Sequence, residues 1–168
     1  MTNINKNRKL VRLFQRVQNI PYFLFRHRDS KKLFSLNKGC CAEKAIWLGN
    51  KLKETNIPVK YYRIEFKWED LPIPKEIIRL KKKGPVHHLA LKAKVNNKWI
   101  WIDPTWDPGL EKGGFPVTKN WNGKTNTKLA VKPLKIEEFK PHDPSSIELT
   151  EFTRALNKYL DKIRKKMF

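Results

Sequence analysis

The chain has 168 residues, 39% of them hydrophobic, and a formal charge of +21 at pH 7. Length and apolar share suit one globular domain over residues 1–168, since no shift in composition divides them. The charge argues against basic partners, and because most basic residues are lysines spread from Lys6 to Lys166, it points to loose, non-specific attraction to acidic partners or nucleic acid rather than base readout by arginine forks.

At the N-terminus, Lys6, Arg8, Lys9, Arg12 and Arg16 interrupt every apolar run. Neither a signal-peptide core nor a span of about 20 apolar residues is expected there, so no membrane is expected as a partner. Leu10, Leu13, Phe14 and Val17 recur at helical spacing and predict an amphipathic helix over 9–17, closed by Pro21. The Asn37-Lys38-Gly39 turn leads into a second helix, about 40–54, with the stripe Cys41, Ala45, Leu48 and Leu52. A strand over 58–66 and a short helix over 74–83, stopped by Gly84-Pro85, follow. Residues 88–95 and 98–103 read as a β-hairpin around Asn96-Asn97, a two-residue loop able to take positive φ. The stretch 104–127, rich in Gly, Asn and Trp, reads as a long functional or mobile loop. The segment 145–166 is again helical, with Asp143-Pro144 as its cap and first turn. The order is that of an α+β domain.

Counting outward from Asn96-Asn97 pairs Val95 with Lys98, Ala93 with Ile100 and Leu91 with Ile102. His88, Ala90, Lys92, Trp99, Trp101 and Asp103 then share one face, with His88 a diagonal neighbour of Asp103 at roughly 7–8 Å between backbones. His87 points to the opposite face. A histidine and a carboxylate so placed suit a base and its orienter, the acid fixing the tautomer and steadying the imidazolium.

The nucleophile for such a pair comes from Cys40-Cys41, the two cysteines of the chain. A vicinal pair closes almost no loop, so it builds no disulfide framework, and the expected location is cytoplasmic. A thiol in the first helical turn sits against unpaired backbone N–H groups and the positive end of the dipole, which favours the thiolate. Cys41 lies on the apolar stripe that must face the sheet, whereas Cys40 is expected to look toward solvent or the preceding loop. Cys41, His88 and Asp103, in chain order, form a candidate thiol acyl-transfer triad.

At these residues the chain resembles the transglutaminase-like superfamily, papain-like Cys-His-Asp acyl-transfer enzymes, in its compact bacterial and archaeal form. Gly39, Cys41-Ala42-Glu43-Lys44-Ala45, His88, Trp99 and Asp103-Pro104-Thr105 fall in that family's order, with 15 residues from His88 to Asp103. The matching motifs cover about 37–107. Two positions depart from the pattern: Ala90 stands where an aromatic is usual, and Cys40 where a small or acidic residue is usual. The resemblance implies a nucleophile helix packed on an antiparallel sheet, with N- and C-terminal helices around it. It also implies no cofactor, no metal in the chemical step, and thiolate attack on the amide of a protein or peptide substrate through a thioester. Whether water or another nucleophile resolves that thioester is not implied. The oxyanion would sit on the Cys41 N–H and one side-chain donor, for which Gln18 and Tyr22 are the upstream candidates.

Blander readings stand beside this one. Cys40 reads as an inert small hydrophobe and Trp99, Trp101 and Trp106 as core or cleft wall, while Lys81-Lys82-Lys83 is a solvated helix end. A zinc site from Cys40, Cys41, His87 and His88 is disfavoured, because neighbouring strand residues diverge and both histidines cannot face one ion. The alternative to an enzyme is a non-catalytic binding module of the same fold, whose basic surface holds nucleic acid or an acidic protein.

Overall fold

A computed structural model of the protein describes residues 2–166. The first helix, α1, runs Asn3–Gln18, with Thr2 capping it by accepting the Asn5 N–H. It starts well before residue 9, because the asparagines and basic residues of its first turns show no apolar stripe from which the helix could be read. A two-residue strand, β1 (His27–Arg28), and a short helix, α2 (Leu33–Leu36), precede the central helix α3, Cys41–Glu54. Then come β2 (Val59–Phe66), the single turn α4 (Lys75–Ile78), β3 (Val86–Val95) and β4 (Lys98–Ile102). Strands β5 (Lys135–Glu138) and β6 (Ser145–Ser146) and helix α5 (Glu151–Lys165) complete the order.

Four strands form an antiparallel sheet in the order β4-β3-β2-β5, and α3 packs on β3 with α1 beside it. The fold is thus α+β. Asn96 and Asn97 both take positive φ, 50° and 64°, and the hairpin pairs Val95 with Lys98, Ala93 with Ile100 and Leu91 with Ile102. Gly49 lets α3 approach the sheet, since a Cβ there would strike the Tyr61 hydroxyl. The core joins both terminal helices to the sheet through Phe14, Leu48, Leu52, Ile64, Leu91 and Leu156, all buried.

Three expectations need correction. The C-terminal helix starts at Glu151, with Thr150 as its cap accepting the Thr153 N–H, while Ser145–Ser146 pairs with His27–Arg28. Asp143 is no helix cap: its carboxylate accepts the N–H and hydroxyl of Ser30 and so pins the 143 region to the chain just after β1. The helix expected over 74–83 is only Lys75–Ile78, because the lysines beyond it have no apolar surface to cover. The loop 104–127 is packed rather than loose: Trp106, Leu110, Phe115, Val117 and Trp121 are buried, with Trp121 4.8 Å from the Phe14 ring. Strand β5 carried no alternating signal, being a mostly exposed edge of Lys and Glu held by the Arg63–Glu137 ion pair.

Candidate active site

The start of α3 is fixed before its thiols are considered. Gly39 donates its N–H to Pro21 O and accepts from Phe23 N, so the 21–23 segment lies alongside the turn that enters the helix. Cys40 is the N-cap and Glu43 stands at N3, accepting the Cys40 N–H at 3.2 Å, a capping box with a cysteine in the usual serine place. Cys41 is therefore the first helical residue, where its own N–H has no intrahelical acceptor.

The burial of the pair reverses one expectation. Cys40 is fully buried in the core, and Cys41 is half-buried. An N-cap side chain folds back over its helix end, so Cys40 points inward, while Cys41 opens onto two cavities. One, about 210 Å³, has apolar walls that include Tyr22, Phe66, Trp68 and Trp106. The other, about 220 Å³, lies toward Arg63, Phe139, His142 and Ser145. Arg28, Cys41, His87 and His88 line both, and Cys40 lines only the first.

His88 and Asp103 meet. Nε2 of His88 lies 2.7 Å from Oδ2 of Asp103, and both residues are buried. Asp103 also accepts the Ala130 N–H at 2.8 Å on Oδ2, and the Thr105 N–H and hydroxyl at 3.2 and 2.5 Å on Oδ1. Burial by itself would raise its pKa, but the His88 ring and these donors outweigh it and hold the carboxyl below its usual range. An ionised carboxylate only accepts, so Nε2 carries the proton and Nδ1 of the neutral ring is left free as a base. His87 is exposed at the cavity rim.

The two thiols are shifted in opposite directions. Cys41's hydrogen bond lowers the Cys40 thiol to about 5; burial opposes this, and Arg28 and the Ala42 and Glu43 N–H groups add to it. The same hydrogen bond, then burial and the Cys40 charge, push the Cys41 thiol well up, while the Leu89 N–H favours its thiolate. The resting preference is thus opposite to the one expected from the sequence. Helix-end donors reach the N-cap sulfur first, and periodicity carries no information about that. Burial, then the Cys40 charge, raises Glu43 to about 8. Tyr22 is raised too, by burial and then by both thiols, which places its phenol at the site. Gln18 is spent elsewhere, its Nε2 donating to Thr118 O at 2.8 Å.

No family profile and no curated protein matches the chain. Among solved structures, the chain is similar to a Cytophaga hutchinsonii protein titled a "putative cysteine protease", at 14% identity and a TM-score of 0.43. The similarity covers 84% of this chain and 45% of that one, so the chain spans less than half of that protein's length. A TM-score that low carries no weight for fold or chemistry, and the site stands on its own geometry.

Further residues complete it. Lys44, fully buried, donates Nζ to the carbonyls of Gln18 and Pro104, each at 3.4 Å, and Thr105 at 2.9 Å. It ties α3 to the end of α1 and to the segment that backs Asp103, and burial lowers its pKa to about 7. Asp107 accepts the Tyr22 N–H at 2.9 Å and a two-pronged bond from Arg164 at 2.9 and 2.7 Å, fastening α5 behind the cavity wall. Arg28 reaches the site from β1. No motif singles it out, because the register that brings it there is set by Ser145, far along the chain.

Proposed function

We propose that the protein is a cysteine-dependent acyl-transfer enzyme or hydrolase of transglutaminase-like type, acting at amide bonds of a protein or peptide. Cys41 is the nucleophile, His88 the general base and then acid, and Asp103 the residue that orients His88. The buried His88–Asp103 hydrogen bond beside two cavities, each lined by Cys41, carries this reading. Accessibility supports this choice of nucleophile: half-buried Cys41 lines both cavities, whereas Cys40 is fully buried and lines one.

In the reaction, Nδ1 of His88 takes the Cys41 proton as sulfur attacks the acyl carbon. The oxyanion forms against the Cys41 N–H, with the Tyr22 hydroxyl as the cavity's second donor. His88 then returns the proton to the departing amine as the C–N bond breaks, leaving a thioester for water or an amine to resolve. Burial and the neighbouring Cys40 push the Cys41 thiol up, so Cys41 gives its proton to His88 as it attacks.

The test is site-resolved alkylation by iodoacetamide at neutral pH, read by mass spectrometry. Cys41 is expected to react much faster than Cys40, His88→Ala to slow it, and His87→Ala to leave it unchanged. Cys41→Ala is expected to abolish amide turnover, while Cys40→Ser retains most of it. A faster Cys40, or two thiols at the rate of an unperturbed cysteine, would overturn the assignment and leave a binding module of this fold.

A further inference from the structure

Arg28 has only a long contact with the Cys40 thiol to meet its charge in this site. It is half-buried, and no carboxylate pairs with it among the described residues. Its Nη1 makes one long contact, 3.9 Å to Cys40 Sγ, and its buried Nε has no hydrogen-bond partner. An unspent buried donor on a guanidinium is costly, and side chains of this kind are kept where a ligand completes them. The surroundings say which ligand. The cavity of about 220 Å³ beyond Cys41 is lined by Arg28, Arg63, His87 and His142, with no Asp or Glu in its wall. The Arg63 charge is already met by Glu137, outside the cavity. Arg28 keeps guanidinium donors without a carboxylate partner, and the planar fork of a guanidinium matches a carboxylate.

Arg28 also sits where specificity is decided. It lines both cavities together with Cys41 and His88, so a carbonyl held at the thiol has Arg28 beside it, with aromatic walls in one cavity and Arg63 and His142 in the wall of the other. The strand carrying it is held by pairing with Ser145 and by Asp143, which binds Ser30 two residues on. The guanidinium is thereby positioned by elements that take no part in the chemistry.

We propose that Arg28 anchors a carboxylate of the acyl substrate close to the reacting carbon, with a large apolar group of the same substrate in the aromatic-walled chamber. This rests on Cys41 being the nucleophile. It makes the substrate class an acidic–apolar peptide, whose carboxylate is a side chain or the free chain end.

The probe is a pair of alkylating agents of equal size, iodoacetate and iodoacetamide, compared at Cys41. In the unaltered protein the iodoacetate-to-iodoacetamide rate ratio is expected to exceed that of a free thiol. Arg28→Gln is expected to lower that ratio about ten-fold, and Lys112→Gln, removing one distant charge, to leave it unchanged. A general effect of Arg28 on the thiolate slows both reagents equally and cancels in the ratio. A ratio unmoved by Arg28→Gln, with iodoacetamide still fast, overturns the anchor and spares the nucleophile; slow reaction with both reagents in the unaltered protein overturns the nucleophile itself.

Should Arg28→Gln fail to fold, protection of the unaltered protein decides. At fixed ionic strength, N-acetyl-glutamate amide and its isomer N-acetyl-glutamine are compared as blockers of Cys41 alkylation, with uncharged N-acetyl-glutamine amide as control. Protection by the first alone identifies a side-chain carboxylate, and by the second alone a chain end. No protection beyond the control overturns the proposal.

Discussion

Asp103→Asn is the most informative single change, because every partner of that carboxylate is a donor. Oδ2 accepts from His88 and Ala130, and Oδ1 accepts twice from Thr105. An amide must aim its NH2 at one of these sets. Turned toward His88, it opposes the Ala130 N–H and forces the imidazole proton onto Nδ1, the wrong tautomer for a base. Turned toward Thr105, it opposes that N–H, although the hydroxyl can rotate to accept. The second arrangement costs less, leaving one buried donor unpaired at about 1–3 kcal/mol and removing the charge from the His88 bond at a similar cost. A loss of about 2–5 kcal/mol in urea unfolding is expected. Cys41 reactivity should suffer more, since the imidazolium loses its counter-charge: turnover is expected to fall about 10²–10⁴-fold. The alkylation pH profile should move to higher pH, since a weakened imidazolium supports the Cys41 thiolate less. If the variant unfolds within about 0.5 kcal/mol of the parent and keeps its alkylation profile, the hydrogen bond neither holds the hairpin end nor orients His88, and the triad reasoning fails.

Cys40→Ser should change how stability depends on pH between 5 and 7. Cys40 is lowered to about 5, so there the unfolded chain binds its proton and the folded one does not, and stability rises with pH; Glu43, raised to about 8, has the opposite sign. The two offset each other in the unaltered protein. Without the thiolate the part of the Glu43 shift that burial causes is no longer offset, and between pH 5 and 6, below the titration of Lys44 at about 7, stability should fall as pH rises, by at most about 1.4 kcal/mol per pH unit; a slope unchanged from the parent would refute this coupling. Arg164→Ala should cost about 3–5 kcal/mol, since it leaves the buried Asp107 carboxylate without its two-pronged partner and frees Tyr22 O; thermal unfolding checks it, and a loss below about 1 kcal/mol would show the clamp to be dispensable. Duplex DNA should bind weakly and without sequence preference, with affinity dropping steeply as salt rises. Tight, selective binding in a salt titration at physiological ionic strength would favour the binding-module reading.

The sequence by itself determined what is local. Leu10, Leu13, Phe14 and Val17 mark the buried face of α1, and Asn96-Asn97 sets the β3–β4 register from which the His88–Asp103 neighbourhood follows. These signals are legible because side-chain period and turn backbone depend on residues a few positions apart. Tertiary structure decided the rest. The opposite shifts of Cys40 and Cys41 depend on their contact with each other, on burial and on Arg28, brought in by a strand whose partner is Ser145. Strand β5, all exposed or half-exposed, joins the sheet only because the β2 edge is open to it. The loop 104–127 is packed because Phe14 and the core receive its tryptophans, not because of any pattern of its own. Contacts between residues a hundred positions apart are set by which surfaces meet when the chain collapses, and burial then fixes the electrostatics of every group they enclose.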